Sequence, residues 1–159
     1  MREAFRDVLE FHRKLAPHLI GRFPKMPEEK NRIYLTLIDE EHKELKEAVE
    51  ANDIVKVADA IGDLCYVAIG LAVTCGIDLP SVWDEIHASN MAKEGGPTRE
   101  DGKILKPEGW EPPNIGKALA EQWPVGVDYD SLNLAEIRKI DDEIDERADV
   151  YDATGRLPE

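Results

Sequence analysis

The sequence predicts an all-α protein with a four-helix core and one extra helix near its C-terminal end. Three observations predict this class. Apolar residues recur with helical spacing along most of the chain. Helix starts and stops punctuate the periodic segments. No segment shows the period-two alternation of a half-buried strand. The 159 residues fit one domain of ordinary size, and 42% apolar content is enough for a real core.

The first helix is expected over 2–15, where Phe5, Val8, Leu9, Leu15 and part of Phe11 form one stripe. Pro17 and Gly21 end it, and 16–27 reads as a connector. Pro27–Glu28–Glu29 is a helix start, with proline in the first turn and acids at the positive end of the dipole. The second helix is therefore expected over 28–50, with Ile33, Leu37, Ile38, Leu45, Ala48 and Val49 inward. The third begins at Asn52 or Asp53, both good caps, and runs to about Cys75 before Gly76 stops it. From Ile54 it is apolar almost all round, which implies burial on several sides and packing against a second subunit.

The fourth helix follows Ser81, a candidate cap, and reaches about Lys93 with Val82, Ile86 and Met91 inward. A short helical piece from Ile115 to Trp123 and a turn over 124–130 come later. The last helix spans 131–149, with Ser131 as cap and Leu132, Leu134, Ile137, Ile140, Ile144 and Ala148 inward. Residues 151–159 read as a loose tail. The domain proper is thus 1–123, and 124–159 is a C-terminal extension, either part of the same domain or an arm.

The net charge of −14 argues against a nucleic-acid polymer as partner. A small anion remains open, because bound metal inverts local charge. Cys65 and Cys75 stand ten apart on one helix and read as two small buried residues, so nothing demands an oxidising compartment. The first residues lack a signal-type apolar region, and no apolar run is expected to approach membrane-spanning length. A cytoplasmic protein with no membrane partner is expected.

Carboxylates carry the most informative pattern. Glu41 falls on the inward stripe of the second helix, four residues after Leu37, and Glu40 and Glu44 lie along the same side. Asp59 and Asp63 are four apart, so they share a face of an otherwise apolar third helix. The two helices meet at Ala51–Asn52–Asp53 and should pack antiparallel. Five carboxylates there repel one another unless protonated or metallated, and all-oxygen donors suit Mg²⁺ or Mn²⁺. The competing reading of the three glutamates is a solvated helix face.

Residues 94–116 hold five glycines and four prolines, and no regular element fits them. A loop this long is commonly a lid or a binding loop. Arg99, Lys103, Lys106 and Trp110 are interleaved through it, with Lys93 just before it, in a strongly acidic chain. A solvated surface loop is the competing reading. The four histidines show no zinc-type spacing and read as surface or interface residues. No P-loop or dinucleotide fingerprint occurs.

These segments carry a family resemblance. EEHKE at 40–44 matches the EExxE motif of the MazG-like all-α nucleoside triphosphate pyrophosphohydrolases. VADAIGDLCYVAIG at 57–70 resembles their second acidic helix. Residues 87–115, with Phe11–His12, resemble the phage and bacterial branch described as phosphoribosyl-ATP pyrophosphohydrolase-like. Asp63 fits the aspartate of the second motif, ExxD, but Ala60 stands at its glutamate position, one residue after Asp59.

The resemblance implies a MazG-like four-helix core that forms a homodimer or homotetramer. It implies Glu41, Glu44 and Asp63 as metal ligands with Asp59 as helper, and two or three Mg²⁺ or Mn²⁺ ions per site. Glu40 and Glu41 are the implied catalytic residues, with Glu40 a ligand or the orienter of water. Asn90 and Lys93 match the family's Asn-x-x-Lys helix end and would meet phosphate or metal. Arg99, Lys103 and Lys106 would close over the phosphates, and Trp110 would stack on a base or pack. The implied reaction converts a (deoxy)nucleoside triphosphate, with a purine dNTP suggested by the branch, to monophosphate and pyrophosphate. Phosphoribosyl-ATP pyrophosphohydrolysis and a non-catalytic metal- or nucleotide-binding helical oligomer are the alternatives.

Overall fold

A computed structural model describes residues 1–29, 32–128 and 131–158. Its described elements are α1 (Arg2–Leu15), a 3-10 turn at Pro17–Leu19, α2 (Ile33–Glu50), α3 (Ile54–Thr74), α4 (Leu79–Met91), α5 (Ile115–Ala120) and α6 (Leu134–Thr154). The one bridge of β type among the described residues pairs Thr98 with Ile104.

α1 buries Phe5, Val8, Leu9 and, unexpectedly, His12. Leu15, expected inward, is exposed, because it stands on the last turn as the chain leaves through Pro17–Leu19. α2 starts at Ile33, later than Pro27–Glu28–Glu29 suggests. Pro27 is buried and its carbonyl accepts from Arg32 Nε at 3.2 Å, so it anchors the connector. Lys30 and Asn31, within the expected helix, lie outside the described residues, as do Tyr129 and Asp130 of the expected turn. The inward face of α2 is Tyr34, Leu37, Ile38, Glu41, Leu45 and Ala48, whereas Ile33 and Val49 face out. Glu41 does fall on that face.

α3 is capped by Asp53, whose carboxylate accepts from the amides of Val55 and Lys56 at 3.1 and 3.2 Å. Its second half is buried through Val67, Ile69, Gly70, Ala72 and Val73, and Phe5, Val8, Leu9 and Val125 complete that core. Its first half is not enclosed: Ile54 and Val55 are 76% and 75% exposed, and Asp59, Ile61 and Asp63 also face outward. Cys65 is exposed and only Cys75 is buried, which corrects the expectation for the pair. By length and composition alone α3 could cross a membrane, with mean hydropathy 1.6 over its most apolar window, so the expectation that no run qualifies is also corrected. The same helix makes the most extensive helix–helix contact here, with α2.

α4 begins at Leu79; Ser81 lies inside it and its hydroxyl donates to Asp78 O at 2.8 Å. Val82 is buried, but Ile86 and Met91 are exposed, because α4 lies against α1, α3 and α5 along only part of its length. α5 packs between α4 and α6. α6 is capped by Asn133 rather than Ser131, in a capping box with Glu136. It buries Ile140, leaves Leu134 exposed, and runs on through Tyr151 to Thr154, so much of the expected tail is helix. Gly155, in the left-handed region, ends it.

Candidate active site

The turn between α2 and α3 sets the register of the acids. Asn52 adopts φ 53°, its amide donates to Val49 O at 3.0 Å, and the Asp53 amide donates to Ala48 O at 3.1 Å. This is the doubly bonded helix ending in which a left-handed residue follows the cap. Asp53 closes α2 and caps α3 at once, so the two helices join with no slack.

Glu41 sits in the middle of the arrangement. It is half-buried on the α2 face toward α3, while Glu40 and Glu44 are exposed beside it. Burial, and then the charges of Glu44, Asp63, Glu40 and Asp59, push its carboxyl above the usual carboxylate range. The four residues named by that crowding are the other four acids singled out from the sequence. Glu44 and Asp59 line one groove of about 440 Å³, together with Lys56 and Ala60. Ala60 itself is buried, 4% exposed.

The oxygen-only donor set suits a hard divalent cation in kind. Among the described residues, however, no three carboxylates close into a ready coordination sphere. The acids are neighbours without being drawn together, as expected of uncompensated like charges.

A second cluster forms at the end of α4. Lys93 Nζ donates to Asn90 Oδ1 at 2.7 Å. Trp110 folds back so that Nε1 donates to Ser89 O at 2.9 Å, and Lys106 Nζ lies 3.9 Å from its ring centroid. Asn90, Lys93, Lys106 and Trp110 are therefore one unit. Arg99 and Lys103 are elsewhere, on the tight Thr98–Ile104 turn. There Arg99 forks onto Asp101 at 2.9 and 2.5 Å, and its amide donates to Lys103 O. No hydrogen bond or ion pair among the described residues joins these cations to the five acids.

Sequence reasoning missed His12, which is fully buried. Its spacing was the available signal, since it continues the Phe5–Val8–Leu9 stripe of α1.

The all-α fold and the acid-bearing pair α2–α3 define a MazG-like nucleotide pyrophosphohydrolase. More narrowly, the chain matches the phosphoribosyl-ATP pyrophosphohydrolase family over residues 8–90, just over half its length, and belongs to that family. It is a diphosphatase acting on a nucleotide. The matched region contains all five acids and ends at Asn90, before the loop cations and α6. No curated protein matches the chain.

Proposed function

We propose that the protein hydrolyses the α–β phosphoanhydride bond of a nucleoside triphosphate with Mg²⁺ or Mn²⁺, releasing the monophosphate and pyrophosphate. The carrying observation is the crowding of Glu44, Asp63, Glu40 and Asp59 around a half-buried Glu41. Glu41, Glu44 and Asp63 hold two or three cations, and Asp59 takes the part of the glutamate replaced by Ala60. Bound cations neutralise phosphate oxygens and make water a better nucleophile. Glu40, exposed beside Glu41, orients that water and accepts its proton. The Asn90–Lys93 pair binds phosphate, and Lys106, held at Trp110, adds charge to it.

Two substrate readings stand. The family description favours phosphoribosyl-ATP, and the phage-type features of 87–115 favour a (deoxy)nucleoside triphosphate, with a purine dNTP first. The uncovered apolar start of α3 supports a second copy of the chain as partner, in a homodimer or homotetramer. The deciding experiment incubates the protein with each dNTP and NTP and with phosphoribosyl-ATP, in Mg²⁺, Mn²⁺ or EDTA, and separates the products. Metal-dependent pyrophosphate release from one class identifies the substrate. Turnover in EDTA, or orthophosphate as the sole product, removes the proposed mechanism.

A further inference from the structure

We propose that the groove between the 17–28 connector, the C-terminal end of α3 and α6 binds a small phosphate-bearing anion, gripped by Arg147 and Lys25. The groove encloses about 360 Å³. It is remote from the carboxylates: twelve residues separate Asp63 from Cys75 on its wall, roughly 18 Å along the helix axis.

Charge is the first argument. His18, Arg22, Lys25 and Arg147 all line this groove, against Glu28, in a chain of net charge −14. Arg22 is already committed, with Nη2 2.7 Å from the Glu143 carboxylate. Lys25 is exposed and forms no ion pair with a described residue.

Arg147 is the second argument. Its Nε and Nη2 are buried and have no hydrogen-bond partner. These two nitrogens form one edge of the guanidinium, and their N–H bonds point the same way. That fork matches two oxygens of a single phosphate. The guanidinium carbon lies 4.5 Å from the Phe23 ring centroid, so a ring supports the group from one face. Burial also lowers the Arg147 pKa, partly opposed by the nearby Glu143 charge. Leaving charged donors buried and unpaired costs free energy that an oxyanion would restore.

The groove is built rather than incidental. The Gly21 amide donates to Val73 O at 3.0 Å and the Lys25 amide to Cys75 O at 2.9 Å, which pins the connector along the end of α3. A side chain at Gly21 would place its first carbon 2.4 Å from the Gly76 nitrogen, so only glycine permits that approach. The Arg147 fork lies below the groove surface. Binding at the fork therefore requires the side chains above it to move, and that rearrangement is part of the proposal. Arg147 lies outside the family-matched residues 8–90, whereas the connector and the end of α3 lie within them. Occupancy would fasten α6 to the end of α3 without touching the acids.

The test uses the whole protein in EDTA, so that the acidic site holds no cation. Calorimetric titration with inorganic phosphate and with glycerol 3-phosphate is compared with citrate at matched ionic strength. Saturable binding of both phosphates is expected, with Arg147→Gln weakening it about tenfold or more and Lys25→Gln about threefold. Because Lys25 is exposed, Lys25→Glu keeps the fold and should abolish binding even if Arg147→Gln does not fold. Absence of saturable binding, or binding indifferent to Lys25→Glu, overturns the site. Citrate binding as tightly as phosphate, with the same Lys25 dependence, overturns the phosphate assignment.

Discussion

The Tyr34 hydroxyl lies 2.7 Å from Nε2 of His12, and Nδ1 of the same ring lies 2.8 Å from the Val8 carbonyl. A carbonyl only accepts, so Nδ1 carries the hydrogen, and in the neutral ring Nε2 accepts from Tyr34. One buried imidazole thereby ties α1 to α2 with both nitrogens satisfied.

Tyr34→Phe keeps the ring and removes the donor, which leaves Nε2 of His12 buried and unpaired. A loss of about 1–3 kcal/mol is expected in chemical denaturation. An unchanged midpoint and slope would mean that the hydrogen bond contributes nothing net.

Gly70 faces the same ring from α3. A methyl group there would lie 2.3 Å from Tyr34 Cε1 and 2.7 Å from Cζ. Because the hydroxyl is held by His12, the ring cannot swing away without breaking that bond. Gly70→Ala should therefore destabilise by about 1–3 kcal/mol, despite alanine's better helix propensity. Adding Tyr34→Phe to it should cost less than the sum of the two single changes. Strict additivity in that double-mutant cycle would show that the two contacts are independent.

Glu44→Gln and Asp63→Asn should each reduce turnover by at least about a hundredfold with the helical circular dichroism spectrum unchanged, if they hold the cations that stabilise the departing charge. The same variants report on Glu41. Its carboxyl is raised in the folded protein, so this group contributes stability at pH below the ordinary carboxylate range, and that contribution is lost as pH rises through its folded pKa. The metal-free protein should lose stability on that side, and Glu44→Gln should reduce the loss. A carboxyl titration of Glu41 by NMR that does not move in Glu44→Gln would contradict the assigned crowding.

Asp53 caps the helix that presents Asp59 and Asp63. Asp53→Ala should cost about 0.5–2 kcal/mol. Asp53→Asn, which keeps an acceptor, should cost less. Thermal denaturation of the pair separates capping from a general charge effect, because loss of charge alone predicts equal shifts.

Lys106→Ala should raise KM with kcat nearly unchanged, since this cation sits on Trp110 rather than among the acids. A fall in kcat at constant KM would place Lys106 in the transition state instead of the binding step.

The helix pair was legible because its signals are local. Asn52 and Asp53 announce a turn, and Glu41 announces itself by sitting on an apolar stripe. What lies across from each stripe was not legible. Ile33, Val49, Ile86 and Met91 have the right spacing but are exposed, since periodicity names a face and not how far a neighbour extends along it. Pro27–Glu28–Glu29 has the composition of a helix start, yet Pro27 is buried and its carbonyl is taken up by a local hydrogen bond from Arg32, five residues on. His12 reads as a surface or interface histidine, yet it is buried because the Val8 carbonyl one turn back and Tyr34 on α2 satisfy both its nitrogens. The loop cations were grouped by sequence, and the fold divides them between the Trp110 platform and the Arg99–Asp101 turn.

The junction at Ala51–Asn52–Asp53 makes the spacing between the EExxE stretch and the aspartates intolerant of length change. One residue inserted or deleted there would rotate one helix against the other by roughly 100°. The aspartates would then swing away from the glutamates even if every acid were retained. For evolution or engineering, the interhelical joint behaves as a fixed-length spacer on whose arithmetic the proposed chemistry depends.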